Sequence, residues 1–174
     1  MTDTRDRLLV DVAGQQRSRF YGKYRGLVTE VGEGDLLGFV RARVPEVYHD
    51  QESPWAAPCT PFAGDKHGLM VIPEVGDGVW VSFEAGDISK PICDGYWWAC
   101  DEHPEPGTST VRVFATSNGL KLVLDEDGDE IRLEHGGGPK IVLTSSEILL
   151  KVGSKKISIT SNSVKVNDGA LEVT

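Results

Sequence analysis

The residues whose chemistry is hardest to replace are three cysteines and four histidines, and neither set is spaced to use it. Cys93, Cys100 and His103 lie together, but Cys59 is far upstream and the spacing fits no four-ligand zinc pattern. An odd number of thiols at no framework spacing also argues against structural disulfides. His49, His67, His103 and His135 are scattered on polar stretches, none with a spaced Ser or Cys that would make a nucleophile and base. "DEDGDE" at 125–130 packs five acids around Gly128, yet it lacks the distant bidentate Glu and the helical flanks of a calcium loop, and reads as an acidic turn. "EHGGGPK" lies between strands, not between strand and helix, so it is no phosphate loop. Carboxylate pairs are too plentiful in an acidic chain to mark a glycosidase. The expectation is a protein without catalytic residues, metal or cofactor.

Bulk composition points the same way. A formal net charge of −9 disfavours a nucleic-acid partner, although "RFYGKYRG" mixes basic and aromatic residues as a strand-binding face would. No stretch approaches the roughly 20 apolar residues of a membrane span. Near the start, the patch Leu8–Ala13 is short and broken by Asp11, unlike a signal peptide, so synthesis in the cytoplasm is expected. Twenty glycines and nine prolines favour a turn-rich β protein over a helical one.

The elements fall into two regions, with all four tryptophans and all four tyrosines before residue 104 and no aromatic after Phe114. In the first region, "YRGLVTEVGE" and "GFVRARVPEV" read as paired strands, "GLMVIPEVGDGVWVSFEAGD" as two more, and "KPICDGYWW" as a fifth. Five short strands carrying large aromatics suggest a small closed barrel of OB type. "DEHPEPGTST" at 101–110 reads as a linker. The second region carries eight short strands: 111–114, 119–124, 130–134, 140–144, 147–152, 156–160, 163–167 and 171–173.

The last seven of those strands share one aliphatic face. It comprises Leu120, Leu122, Leu124, Ile131, Leu133, Ile141, Leu143, Ile148, Leu150, Val152, Ile157, Ile159, Val164, Val166, Leu171 and Val173. The other face is polar from residue 140 onward, with Val142 and Leu149 as exceptions. A sheet with one apolar face cannot bury it alone. A narrow three-fold axis between identical chains admits Ile, Leu and Val but not Trp, so the sixteen are expected to form the core of a homotrimer. The loose "TSS", "GSKK" and "TSNS" turns, where tight Asn-Gly pairs would fold a strand back on its own chain, suggest strands interleaved between chains. Eight levels at about 4.8 Å each would make a prism roughly 40 Å long.

The segments "SPWAAP", "PEVGDGVWVSFEAGD" and the Pro-Ile-x-x-Gly-Tyr-Trp-Trp run resemble the OB domain of phage baseplate assembly protein V and of VgrG-type spikes. "TSNGLKLVLDEDGDEIRLEH" and "VNDGALEVT" resemble the start and finish of that family's intertwined spike. The resemblance implies an all-β protein: a five-stranded OB-fold barrel over 21–100, after an arm or short helix at 1–20, and an intertwined triple-stranded β-helix over 111–174. It implies the central spike of a contractile injection apparatus, joining a baseplate hub to the tip and piercing the target envelope. It thus predicts cytoplasmic synthesis followed by assembly into a virion or injection particle. Relatives with a lysozyme domain carry it where only the ten-residue linker stands here, VgrG-type chains carry a hub ahead of the barrel, and some spikes end in a His-x-His iron site. With no His after His135, a separate PAAR-type tip on the end formed by Thr174 is expected, and a separate hub. Tyr96, Trp97 and Trp98 are candidates for a subunit or junction contact. The alternatives left open are a monomeric OB-type carbohydrate- or oligonucleotide-binding module and a small hydrolase with a β-rich extension.

Overall fold

A computed structural model describes Gly14, residues 19–105 and residues 108–173, so the expected arm at 1–20 lies outside the described residues except for Gly14, Arg19 and Phe20, as does the end at Thr174. These residues form two compact units that part between Asp101 and Glu102.

In the first unit, β1 (Tyr24–Val31), β2 (Val40–Arg43), β3 (Ala57–Pro58), β6 (Gly78–Phe83) and β7 (Pro91–Trp97) make one sheet in the order β2-β1-β6-β7-β3. Every pairing is antiparallel except β3 with β7. Two-residue strands β4 (Ala63–Gly64) and β5 (His67–Gly68) form a separate small hairpin. The sheet closes on itself through Ala56, which exchanges backbone hydrogen bonds with Val40 of β2 at 2.8 and 3.2 Å just before the chain enters β3 beside β7. "SPWAAP" is therefore the closing device of the barrel. Ser53 Oγ accepts the buried Ala42 N–H at 3.0 Å, and the Arg41 guanidinium lies 4.8 Å from the Trp55 ring centre.

One expectation for this unit is corrected. The stretch Leu69–Ile72, read as a strand, has no strand pairing; β3 takes its place as fifth member of the sheet. Strand parity turns Phe83 inward with Val79 and Val81, and Tyr24 inward with Val28, while Trp80 faces out. The core is Val28, Val40, Ala42, Val44, Val47, Ala56, Val79, Val81, Cys93 and, as its one large ring, Phe83, an interior small enough for a five-stranded barrel to close around. Phe20, Tyr24 and Tyr48 gather around Phe83 in edge-on and tilted contacts at 5.6–6.4 Å. Trp80 alternates outward between buried Val79 and Val81, and Arg25 lies 5.3 Å from its ring centre and 5.0 Å from that of Trp97.

The second unit holds β8 (Val111–Ala115), β9 (Lys121–Asp125), β10 (Glu130–Glu134), β11 (Lys140–Thr144), β12 (Glu147–Val152), β13 (Lys155–Thr160), β14 (Val164–Val166) and β15 (Leu171–Val173). Each lies within two residues of the strand read from the sequence. Every strand pairs antiparallel with the next one of its own chain, giving an eight-stranded meander in the order β15 to β8. Within one chain, the loose turns join strands that pair with each other. Threonine hydroxyls supply what Asn-Gly would have. Thr144 Oγ1 accepts the Ser146 and Glu147 N–H groups, and Thr160 Oγ1 those of Asn162 and Ser163. At Gly153 a φ of +57° supplies the left-handed residue of a two-residue turn.

Candidate assembly interface

The hydrogen-bond register turns the aliphatic list into two ladders. One runs Leu122, Leu133, Ile141, Leu150, Ile157, Val166, Leu171 across consecutive strands, each residue directly opposite the next. The other runs Leu124, Ile131, Leu143, Ile148, Ile159, Val164, Val173 in the same way. Leu120 and Val152 lie just beyond the first ladder, so the register puts all sixteen on one face. In the single chain thirteen of them are 37–62% exposed, far more contiguous apolar surface than a soluble monomer carries.

Strand β8 departs from the pattern. Phe114 stands opposite Leu122 and Arg112 opposite Leu124, so a half-exposed aromatic and a cation begin the two ladders. Arg112 reaches Glu126 at 2.6 Å. Sequence reading ended the face at Leu120, because neither residue is aliphatic; the alternation of β8 was the available signal.

The second face is polar at its margins but not throughout. Val113, Val123, Arg132, Val142 and Leu149 occupy its central row, and Val123 and Val142 are the buried side chains of this unit. Arg132 lies among three acids, hydrogen-bonded to Glu130, with Nε 3.0 Å from Glu134 and Nη1 3.7 Å from Asp125. The hydrogen bond that the guanidinium donates to Glu130 raises its affinity for its proton above the ordinary arginine value, with the surrounding acids adding to it. Lys121 Nζ reaches Glu105 at 2.8 Å and the Pro104 carbonyl at 3.3 Å, tying that part of the 101–110 segment to β9. The turn at 125–130 spends its acids on protein partners. Asp125 accepts the Gly128 N–H at 2.8 Å, and Asp127 accepts from Thr110 at 2.7 Å.

In the barrel, Trp97 packs over Gly78, its Nε1 donating to the Val79 carbonyl at 3.1 Å. Tyr96 and Trp98 are 48% and 64% exposed, and Trp97 is half-buried. Gly95, at φ +132°, sits in the bulge where Asp94 and Gly95 together face Trp80. Cys93 is buried, and burial pushes its thiol pKa up, the opposite of an activated nucleophile.

A small closed β-barrel followed by a sheet whose whole apolar face is open defines a structural component completed by self-association. The comparisons identify it. Residues 24–98 match the type VI secretion system/phage-baseplate injector OB domain, and residues 111–172 match the phage baseplate V C-terminal trimerisation domain. The chain belongs to the phage baseplate V family and is a spike component of the baseplate injector type. Its second unit is a self-association domain that forms a homotrimer. Both matched families are structural domains.

Proposed function

We propose that this protein is the central spike of a contractile injection apparatus, joining the baseplate hub to a separate tip protein and piercing the target envelope when the sheath contracts. The observation that carries the reading is the pair of unbroken aliphatic ladders. Three such faces, turned inward, would form a dry axis one residue deep per strand, without aromatics to widen it beyond Phe114. Close-packed aliphatic interiors resist compression, which is the property a driven needle requires. The sixteen ladder and margin residues would be the axis core, and Tyr96 and Trp98 subunit or junction contacts. A hub would bind at the barrel, and a PAAR-type tip at the end beyond β15. The chain would be made in the cytoplasm and act within an assembled virion or injection particle.

Deletion of residues 111–174 from the chain in its own particle tests the piercing role. Particles so altered should contract without permeabilising their target. Undiminished permeabilisation would rule that role out.

A further inference from the structure

The meander is electrically lopsided across its strands. Because it is a simple up-and-down sheet, its turns alternate between two flanks. One flank holds the turns after β8, β10, β12 and β14, and the other those after β9, β11 and β13. At the first flank the strand ends and turns carry Lys121, Lys140, Lys151, Lys155 and Lys156, against Glu134 and Asp168. At the second they carry Asp125, Glu126, Asp127, Asp129, Glu130 and Glu147 with no lysine, although Glu126 is paired to Arg112 and Asp125 and Glu130 to Arg132.

The lysine flank also contains a local conflict. Lys140 stands directly opposite Lys151, and Lys151 opposite Lys156. Like charges directly opposed across strands are destabilising. Lys156 is relieved by Asp168, but among the described residues Lys140, Lys151 and Lys155 form no ion pair. Shape is lopsided in the same sense. An apolar hollow of about 530 Å³ lies toward the lysine flank, lined by Phe114, Leu122, Leu133, Ile141, Leu150 and Val152, with Lys140 and Lys151 at its rim.

We infer that the trimer is assembled flank to flank in one direction, the lysine flank and hollow of each chain receiving the acidic flank of the next. The occupant of the hollow is thus a second copy of this chain, with Leu124, Ile131 and Ile148 entering it from the row nearest the acidic turns. This inference rests on the trimeric reading and goes beyond it by assigning which edge meets which. A contact between unlike patches closes into a ring when the rotation per chain is one third of a turn. Two lysine flanks or two acidic flanks repel, which disfavours a two-fold dimer through either edge. Glu147 shares strand β12 with Lys151, and Asp129 lies at the start of β10, one strand before Lys140. Inclination of the strands to the three-fold axis sets which acid each lysine meets. Lys140 and Lys151 would thereby gain the partners that their own chain withholds.

Charge-swapped full-length chains test this, with assembly from denaturant followed by light scattering at low and at high salt. Lys140→Glu with Lys151→Glu should slow trimer formation at low salt by about tenfold or more, as should Asp129→Lys with Glu147→Lys. High salt should erase most of the difference. All four substitutions together restore attraction at every contact and should return the rate toward that of the wild type. A quadruple variant as slow as the doubles, or doubles as fast as the wild type at low salt, would overturn the inference. If circular dichroism shows that the reversed doubles do not fold, Lys140→Met with Lys151→Met takes their place. That variant should flatten the salt dependence, and an unchanged salt dependence counts against the proposal. A wild-type chain that sediments as a monomer would instead sink the spike reading itself, before any variant is compared.

Discussion

At the scale of single residues, the barrel is held by a few positions with no room for change. A Cβ added at Gly78 would lie 2.6 Å from both the Trp97 ring and the Trp97 carbonyl oxygen, so neither side chain nor backbone can yield cheaply. Gly78→Ala should destabilise the barrel by about 1–3 kcal/mol. Tryptophan fluorescence during thermal melting would report it, since every tryptophan lies in this unit. Tyr48 is pushed up to about 12 by burial and by Asp87, and the half-exposed Tyr96 to about 12 by partial burial and by the neighbouring Cys93. A folded-state pKa above the unfolded value of 10.0 means that the native barrel holds its phenolic protons longer. Stability is therefore insensitive to these groups below pH 10.0 and falls as pH rises from there through about 12. Denaturant midpoints measured across that window should decline, and Tyr48→Phe should shallow the decline.

At the scale of elements, the trimerisation sheet depends on register more than on any one side chain. Ile157 stands between Leu150 and Val166 in the middle of its ladder. Ile157→Asp should abolish trimer formation, because three carboxylates would meet on a dry axis at about 3–5 kcal/mol for each unpaired charge. Cross-linking should trap only monomer; a normal trimer band would remove Ile157 from the axis. The eight strands and the aliphatic face of the last seven were legible from period-two alternation, with Val113, Val123, Val142 and Leu149 as the apolar exceptions on the other face. Strand pairing was not, because Thr144 and Thr160 make turns whose hydroxyl bonds leave no Asn-Gly mark in the sequence. Arg112 and Phe114 were missed because the face was sought as aliphatic. In the barrel the two-residue β3 was invisible to any periodicity argument. Leu69–Ile72 mimicked a strand by apolarity, although Leu69, Met70 and Val71 are exposed and unpaired with any strand.

At the scale of the whole molecule, the chain is a part rather than a finished object. Its barrel has an interior of its own, whereas its second unit keeps its large aliphatic side chains in solvent until other copies arrive. Folding and association of that unit should be inseparable, so its apparent stability will depend on protein concentration. The central claim is that three copies of this chain cover one another's aliphatic face, and sedimentation of the purified full-length protein tests it most directly. The expected result is a species of three times 18.9 kDa that persists on dilution and in mild denaturant. A stable, well-folded species of 18.9 kDa, with the ladders still ordered, would contradict it.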